Sequence, residues 1–128
     1  MFNDLTPKEA IKWSLVARGW SLKEAEKQAK RWLKSFGLWK VGNKTCWTLS
    51  GGQKVRVTVA MALSPEADLT FLDEPTVGLD VEAKHIVWRA IRELVTKGTS
   101  ILMTTHDMNE PEILADKVVF VHKGKTIA

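Results

Sequence analysis

The chain has 128 residues, of which 45% are apolar, as in an ordinary globular protein, so a disordered or fibrous chain is excluded. No apolar run approaches the roughly 20 residues of a membrane span, and the first residues lack the apolar stretch of a signal peptide. The single cysteine, Cys46, excludes an internal disulfide and fits a reducing compartment. We therefore expect a cytoplasmic protein, with any link to a membrane made through a partner.

The net charge of +4 is unevenly distributed along the chain. Residues 1–60 carry 12 basic and 4 acidic side chains, whereas residues 61–128 carry 7 basic and 11 acidic ones. A basic half is typical of proteins that bind nucleic acid or anionic lipid headgroups. We favour the alternative, the solvated face of one helix, and expect no nucleic-acid partner. The residues of this basic face are Lys23, Lys27, Lys30, Arg31 and Lys34.

Helical signals dominate the first half of the chain. Capping boxes at the starts and glycines at the ends predict helices over residues 7–18 and 22–35. Residues 38–48 have no clear period and are predicted to form a loop, after which a third helix is expected over residues 51–63. The boundary residues are Thr6 to Glu9 and Ser21 to Glu24 at the first two starts, Gly19 and Gly37 at their ends, and Ser50 before the third helix.

From residue 69 onward, short apolar runs alternate with helical patterns, which is typical of a parallel sheet flanked by helices. The predicted strands cover residues 69–72, 100–104 and 118–122, with a last strand from Lys125 after a turn at Lys123-Gly124. The predicted helices cover residues 81–97 and 108–115. The first of these helices has an apolar stripe formed by Ile86, Val87, Ala90, Ile91, Leu94 and Val95.

Three short motifs carry chemistry. Paired glycines after a serine let the backbone pass close to a ligand, and the helix that begins there adds its positive end, which suits a phosphate. Two adjacent carboxylates follow an apolar strand, where open α/β sheets bind ligands and where one acid can hold Mg²⁺ while the next handles water. A histidine follows the next strand. In chain order the motifs are Leu49-Ser50-Gly51-Gly52-Gln53, Phe71-Leu72-Asp73-Glu74-Pro75 and Thr105-His106-Asp107.

Together with Val77-Gly78-Leu79-Asp80, these motifs resemble the signature motif, Walker B, D-loop and H-loop of the ATP-binding cassette (ABC) ATPase family, in its order and spacing. The resemblance implies an α/β fold that contains part of a P-loop NTPase (RecA-like) parallel sheet, with an N-terminal helical subdomain. Residues 1–64 are expected to form the helical subdomain, including the signature helix, and residues 65–128 the C-terminal part of the ATPase core. No G-x-x-x-x-G-K-[ST] phosphate loop occurs in the sequence, so we expect the C-terminal half of an ABC ATPase domain.

The resemblance also implies a role for each motif residue. In the family, the signature loop closes over ATP held by a second ATPase domain, so that two domains enclose two nucleotides. Asp73 is expected to hold Mg²⁺ through water, Glu74 to act as general base on the attacking water, and His106 to reach the γ-phosphate. The alternatives are an acidic pair that caps the following loop and a structural histidine. The residues expected at the nucleotide are Ser50, Gly51, Gly52, Gln53 and Asp80, of which Asp80 is also an expected helix N-cap.

By this resemblance we interpret the chain as part of the ATP-binding subunit of an ABC transporter, peripheral at the inner face of the cell membrane. The complete protein is expected to pair with a second ABC ATPase domain and to couple ATP binding and hydrolysis to a transmembrane permease subunit. The chain alone is expected to be inactive, and it does not encode the transported substrate. Two alternatives stay open: a soluble ABC ATPase of the translation or DNA-repair class, and a non-catalytic interaction module. The lack of sustained heptads argues against the DNA-repair class.

Five of the six tryptophans lie in the predicted helical region. Trp32 shares a predicted helix face with Leu33 and Phe36, so we expect it in the core. In the family, a groove beside this region receives a helix of the membrane subunit. Because exposed aromatic side chains mark interfaces, Trp20 and Trp39, in or near turns, are candidates for a docking surface.

Overall fold

The computed structural model describes residues 2–119, 121–122 and 125–126. Its helices are α1 (Pro7–Ala17), α2 (Leu22–Ser35), α3 (Gly51–Leu63), α4 (Val81–Thr96) and α5 (Glu110–Leu114). Its strands are β1 (Leu69–Asp73), β2 (Ser100–Thr104), β3 (Val121–His122) and β4 (Lys125–Thr126). Short 3-10 turns cover Phe2–Asp4, Trp39–Val41 and Cys46–Thr48, so the segment predicted as a loop over residues 38–48 contains two of them.

The three N-terminal helices begin where their capping residues predict. The Thr6 and Ser50 boxes are complete: each hydroxyl accepts from the backbone N–H three residues on, and that residue's side chain accepts from the cap's own N–H. The Ser21 hydroxyl accepts from the Glu24 N–H at 3.2 Å. Gly19 and Gly37, just past the ends of α1 and α2, have φ values of +99° and +67°, which a residue with a Cβ rarely adopts.

One hydrophobic core joins the helices to the sheet. α1 packs against α2 and α3, and α3 packs in turn against β1 and α4. Trp32 and Phe36 lie in this core as expected, with ring centroids 5.4 Å apart. Side chains from both expected subdomains share this core, so its packing does not mark a boundary between them. The boundary at residue 64 stays a prediction. The largest fully buried apolar side chains are Phe36, Ile11, Leu15, Leu33, Leu38, Leu63, Val57 and Val87.

Replacing Phe36 by alanine is expected to lower the free energy of unfolding by about 3 to 5 kcal/mol, because a buried ring is lost and a cavity remains. Urea unfolding followed by circular dichroism measures the change. Trp47→Ala is the control, since Trp47 is exposed and its loss should cost less than about 0.5 kcal/mol. Equal effects of the two substitutions would show that Phe36 does not lie in the core.

β1 and β2 pair in parallel, with Phe71 opposite Leu102 and Asp73 opposite Thr104. Along β1, burial alternates: Thr70 and Leu72 face α3, whereas Leu69 and Phe71 are exposed on the other face. Because parallel strands end at the same edge of a sheet, the loops after Asp73 and Thr104 lie side by side. This edge positions the candidate site. β3 and β4 form a separate antiparallel pair.

Two expectations about the second half need correction. The helix predicted over residues 108–115 covers only α5, because the Asp107 side chain accepts from the Asn109 N–H at 3.0 Å and forms a turn there. The strand predicted over residues 118–122 is shorter, since the described ladder begins at Val121. The turn predicted at Lys123-Gly124 lies outside the described residues.

The apolar stripe of α4 is largely as predicted, but Val95 is exposed and Trp88, which the predicted stripe omits, is buried.

Of the two tryptophans predicted to form a docking surface, only one is exposed. Trp39 is exposed, with the Lys34 ammonium 4.8 Å from its ring centre, whereas Trp20 is half-buried against the core. The reason is that the Trp20 N–H donates to the Leu15 carbonyl at 3.1 Å, which folds the chain back after α1.

Further exposed tryptophans, Trp13 and Trp47, were not predicted as surface residues. The basic face of α2 is solvent-exposed as expected. Cys46 is fully buried, and burial raises the pKa of its thiol. This thiol is a packing residue of the core and is shielded from reaction.

Candidate functional site

Asp73 and Glu74 stand at the carboxyl end of β1, tied to the neighbouring strand by Thr104. The Thr104 hydroxyl donates to Asp73 Oδ1 at 2.5 Å and accepts from the Glu74 N–H at 3.1 Å. The same N–H donates to the Thr104 carbonyl at 3.0 Å. One threonine on β2 therefore holds both the Asp73 carboxylate and the Glu74 backbone.

Glu74 has a φ of +45°, a left-handed conformation that a residue with a side chain rarely adopts. Such a conformation costs of order 1 to 3 kcal/mol and persists where surrounding bonds hold it, as the two bonds to Thr104 do here. It directs the Glu74 carboxylate toward the loop after β2. Glu74 Oε1 lies 3.1 Å from His106 Nε2, and this contact becomes an ion pair when the imidazole is protonated.

A cleft of about 120 Å³ opens beside this pair. The His106 side chain is 92% exposed, so its ring stands at the mouth of the cleft. The structure therefore brings together two of the predicted site residues, Glu74 and His106, with Asp73 directly beside them. The cleft is lined by Glu74, Thr76, Val77, Gly78, Lys84, Thr105, His106, Asp107 and Glu110.

Asp107 braces the loop on the far side of His106. Its carboxylate accepts from the Asn109 N–H at 3.0 Å and contacts Lys84 Nζ at 3.3 Å. The backbone bond first, and the lysine second, hold the pKa of Asp107 below its ordinary value. The group therefore adds stability above the pKa of the unfolded chain, and this contribution is lost as the pH falls through the folded-state pKa. At neutral pH the brace is in place.

The signature residues lie apart from this cleft, at the N-terminus of α3. Gln53 N–H donates to Ser50 Oγ at 3.1 Å, and Gln53 Oε1 accepts from the Ser50 N–H at 3.0 Å. A Cβ added at Gly51 would meet no atom within 4 Å, and one at Gly52 would lie 3.7 Å from Leu79 Cδ2. The chain's own packing thus does not require glycine at Gly51, and open space remains in front of the helix N-terminus.

Asp80 is the N-cap of α4, since its carboxylate accepts from the Ala83 N–H at 2.8 Å. The capping role expected for Asp80 is confirmed. Val77 and Val81, on either side of it, are exposed, and Gly78 has a φ of +77°. The role expected of this loop at a dimer interface stays a prediction.

The family model described as "ABC transporter" matches residues 1–77. This chain belongs to the ABC transporter family. A second model, described as "AAA domain, putative AbiEii toxin, Type IV TA system", matches residues 47–110 of the ABC chain.

Named relatives agree with this assignment. The chain is 37% identical over 131 residues to "Nod factor export ATP-binding protein I" of Burkholderia lata, a match that covers 99% of the chain and 43% of the relative. It is 40% identical over 121 residues to "Putative ABC transporter ATP-binding protein MK0182" of Methanopyrus kandleri, covering 94% of the chain and 45% of the relative. "Daunorubicin/doxorubicin resistance ATP-binding protein DrrA" of Streptomyces peucetius is 37% identical over 111 residues, covering 87% of the chain and 34% of the relative.

A solved structure, "Structure of ATP binding subunit of ABC transporter", superposes on the whole ABC chain with a TM-score of 0.89 at 30% identity. The chain covers 53% of that structure, and it spans less than half the length of the curated relatives. The family and fold class expected from the motifs are confirmed. Among the described helices, none combines the length and apolar character needed to cross a bilayer.

The acids of the ABC chain fit Mg²⁺ only in company with a phosphate ligand. Within the described residues, no three or more His, Cys, Asp or Glu side chains gather as a self-sufficient metal site. Mg²⁺ is usually bound by one or two carboxylates, waters and substrate phosphates, and not by an all-protein cage. Asp73, directed by the Thr104 hydroxyl, offers one such carboxylate. The donor set therefore suits a magnesium–nucleotide complex.

Sequence reasoning missed the polar residues that support the site. Thr104 and Lys84 belong to no recognised motif, and the sequence around Glu110 is typical of an ordinary acidic residue in a helix. Glu110 is nevertheless 1% exposed and contacts the loops after β1 and β2 through Thr76 and Thr105. No sequence signal distinguishes it from its exposed neighbour Glu112. Its burial depends on tertiary packing against Trp88.

Proposed function

We propose that this chain supplies three parts of an ATP-hydrolysing ABC subunit that works with a membrane partner. They are the catalytic carboxylate of Glu74, the histidine loop (residues 105–107) and the signature loop (residues 49–53). The observation that carries the proposal is the pairing of Glu74 with His106 at 3.1 Å, beside an open cleft at the carboxyl end of two parallel strands. The left-handed backbone of Glu74 supports it, because such strain is retained where a side chain must be held in one direction.

Glu74 acts as the general base. It takes a proton from water while the water oxygen bonds to the γ-phosphorus and the bond from that phosphorus to the bridging oxygen of the β-phosphate breaks. The products are ADP and inorganic phosphate. The exposed imidazole of His106 donates toward the γ-phosphate and stabilises the charge on its oxygens. Asp73 would hold Mg²⁺ through water, and the bound ion would supply neutralisation of the phosphate charge.

Ser50, Gly51, Gly52 and Gln53 face the nucleotide of a second ABC ATPase domain, with Asp80 at the same interface. The open space in front of Gly51 supports this assignment, because a phosphate can approach the N–H groups there without displacing a side chain. Since the signature residues lie outside the Glu74 cleft, one chain serves two nucleotides, and the active unit is a homo- or heterodimer.

A transmembrane permease subunit is the second partner, and it places the assembly at the inner face of the cell membrane. The names of the relatives, which refer to export and to drug resistance, support a transport role. The exposed Trp39, with Lys34 over its ring, supports a docking surface on the helical side of the chain.

The decisive experiment measures ATP hydrolysis by the chain alone and by the chain completed with a polypeptide that carries a G-x-x-x-x-G-K-[ST] loop. The chain alone is expected to show no turnover, because the lysine and backbone N–H groups that cradle the β- and γ-phosphates are not in its sequence. The mixture is expected to hydrolyse ATP. Turnover by the chain alone that survives further purification would overturn the proposal that hydrolysis needs a phosphate-binding loop from the second polypeptide.

A further inference from the structure

Glu110 is a buried acid that the proposed mechanism does not use. Its side chain is 1% exposed, and it accepts three hydrogen bonds. Thr76 Oγ1 donates to Oε2 at 2.6 Å, Trp88 Nε1 donates to Oε2 at 2.7 Å, and Thr105 Oγ1 donates to Oε1 at 2.5 Å. Burial of a carboxylate is unfavourable unless such donors replace water, and here both oxygens have them.

The three donors come from different parts of the fold. Thr76 follows Glu74 by two residues, Thr105 immediately precedes His106, and Trp88 lies on α4. The two hydroxyls thus tie the catalytic loop after β1 and the histidine loop after β2 to opposite oxygens of one carboxylate. The indole fixes that carboxylate to a helix of the core.

The histidine loop is ordered further by the same hydroxyl. Thr105 Oγ1, while donating to Glu110, accepts from the Asp107 N–H at 3.0 Å. The backbone on both sides of His106 is therefore held, although the imidazole itself is almost fully exposed. The bridge between Lys84 and Asp107 is a weaker brace, because both side chains are partly exposed and solvent screens their attraction.

We propose that Glu110 is a positioning residue that sets the distance between the Glu74 carboxylate and the His106 imidazole, an inference that rests on the proposed function of that pair. An apolar side chain could fill the same volume, but it could not direct two hydroxyls from two loops toward one point. The carboxylate therefore provides geometry as well as packing. Glu110 does not contact the reacting atoms; it acts through Thr76 and Thr105.

The kinetic test uses Glu110→Gln in the completed ATPase, with Glu112→Gln as the matched control on the exposed side of α5. The amide nitrogen cannot accept a hydrogen bond, so one side of the network is lost while the shape is kept. We expect kcat to fall about 10- to 100-fold, as for other residues that orient catalytic groups. The dissociation constant of a non-hydrolysable ATP analogue should change less than about twofold, because a residue that only positions catalytic groups affects the chemical step more than binding. The control should match the wild type.

Thr105→Val provides a second variant, because it removes the hydroxyl with little change in volume and should reproduce the kcat loss even where Glu110→Gln folds poorly. Unchanged kcat in both variants would overturn the inference. Parallel losses of kcat, analogue affinity and thermal stability would also overturn it, since they would indicate a structural role alone.

A measurement on the chain itself separates this inference from the proposed function. In a chain with isotope-labelled histidine, the wild type should show nuclear Overhauser contacts between the His106 ring and the Glu74 side chain. These contacts should be lost in Glu110→Gln and retained in Glu112→Gln. Contacts retained in Glu110→Gln, or missing from the wild type, refute the positioning role whether or not the completed protein hydrolyses ATP. If the completed wild-type protein does not hydrolyse ATP although the expected contacts are present, the proposed function is rejected instead.

Discussion

Replacing Glu74 by glutamine in the assembled dimer is expected to leave ATP binding intact and to slow hydrolysis by about 10²- to 10⁴-fold, the usual contribution of a positioned general base. The carboxamide keeps the size of the side chain but cannot take the proton of the attacking water. Binding should persist, because the left-handed backbone at residue 74 is held by Thr104 through the main-chain N–H, which the substitution leaves in place.

Single-turnover hydrolysis and equilibrium binding of ATP, measured on the same preparation, check this prediction. Glu82→Gln is the matched control, because Glu82 is exposed in the first turn of α4 and does not line the cleft. With ATP present, the Glu74→Gln protein should elute as a long-lived dimer, since the closed state is no longer emptied by hydrolysis. Turnover near the wild-type rate would remove Glu74 from the role of base.

The helices of the first half could be predicted because their boundaries are determined by residues that are close together in sequence. Thr6 and Ser50 form capping boxes with residues three positions away, and such bonds need no knowledge of the rest of the fold. The acidic pair could be placed at a strand end for a similar reason, since an apolar run and two adjacent acids are neighbours in sequence. The parallel pairing of β1 with β2 followed from the alternation of strands and helices.

The supporting network could not be predicted, because it joins residues far apart in sequence. Thr76 and Glu110 are separated by 34 positions, and no local pattern states that their side chains meet in the interior. Trp88 was overlooked because its partner is this same buried carboxylate, not an apolar neighbour on its helix. Trp20 was assigned to the surface because a turn usually is exposed, but a backbone bond to Leu15 folds it back against the core, where it is half-buried.

The chain alone is expected to self-associate through the outer face of its two-stranded sheet. Phe71 and Leu102 are opposite one another in the parallel register and are 67% and 60% exposed. Leu69, two residues before Phe71, lies exposed on the same face. Parallel sheets are normally covered on both faces, so this apolar surface and the open strand edges beside it favour contact with a second copy.

Sedimentation velocity at several concentrations checks this expectation: the average sedimentation coefficient of the wild type should rise with concentration. The double variant Phe71→Ser with Leu102→Ser should stay monomeric, since it removes the two facing apolar groups without opening the core. Trp47→Ser is the matched control, because Trp47 is 72% exposed in a 3-10 turn away from the sheet, and its loss should leave the association unchanged. A wild-type monomer at every concentration, unfolding cooperatively and binding no hydrophobic dye, would contradict the prediction, because the exposed face would then have no tendency to leave water.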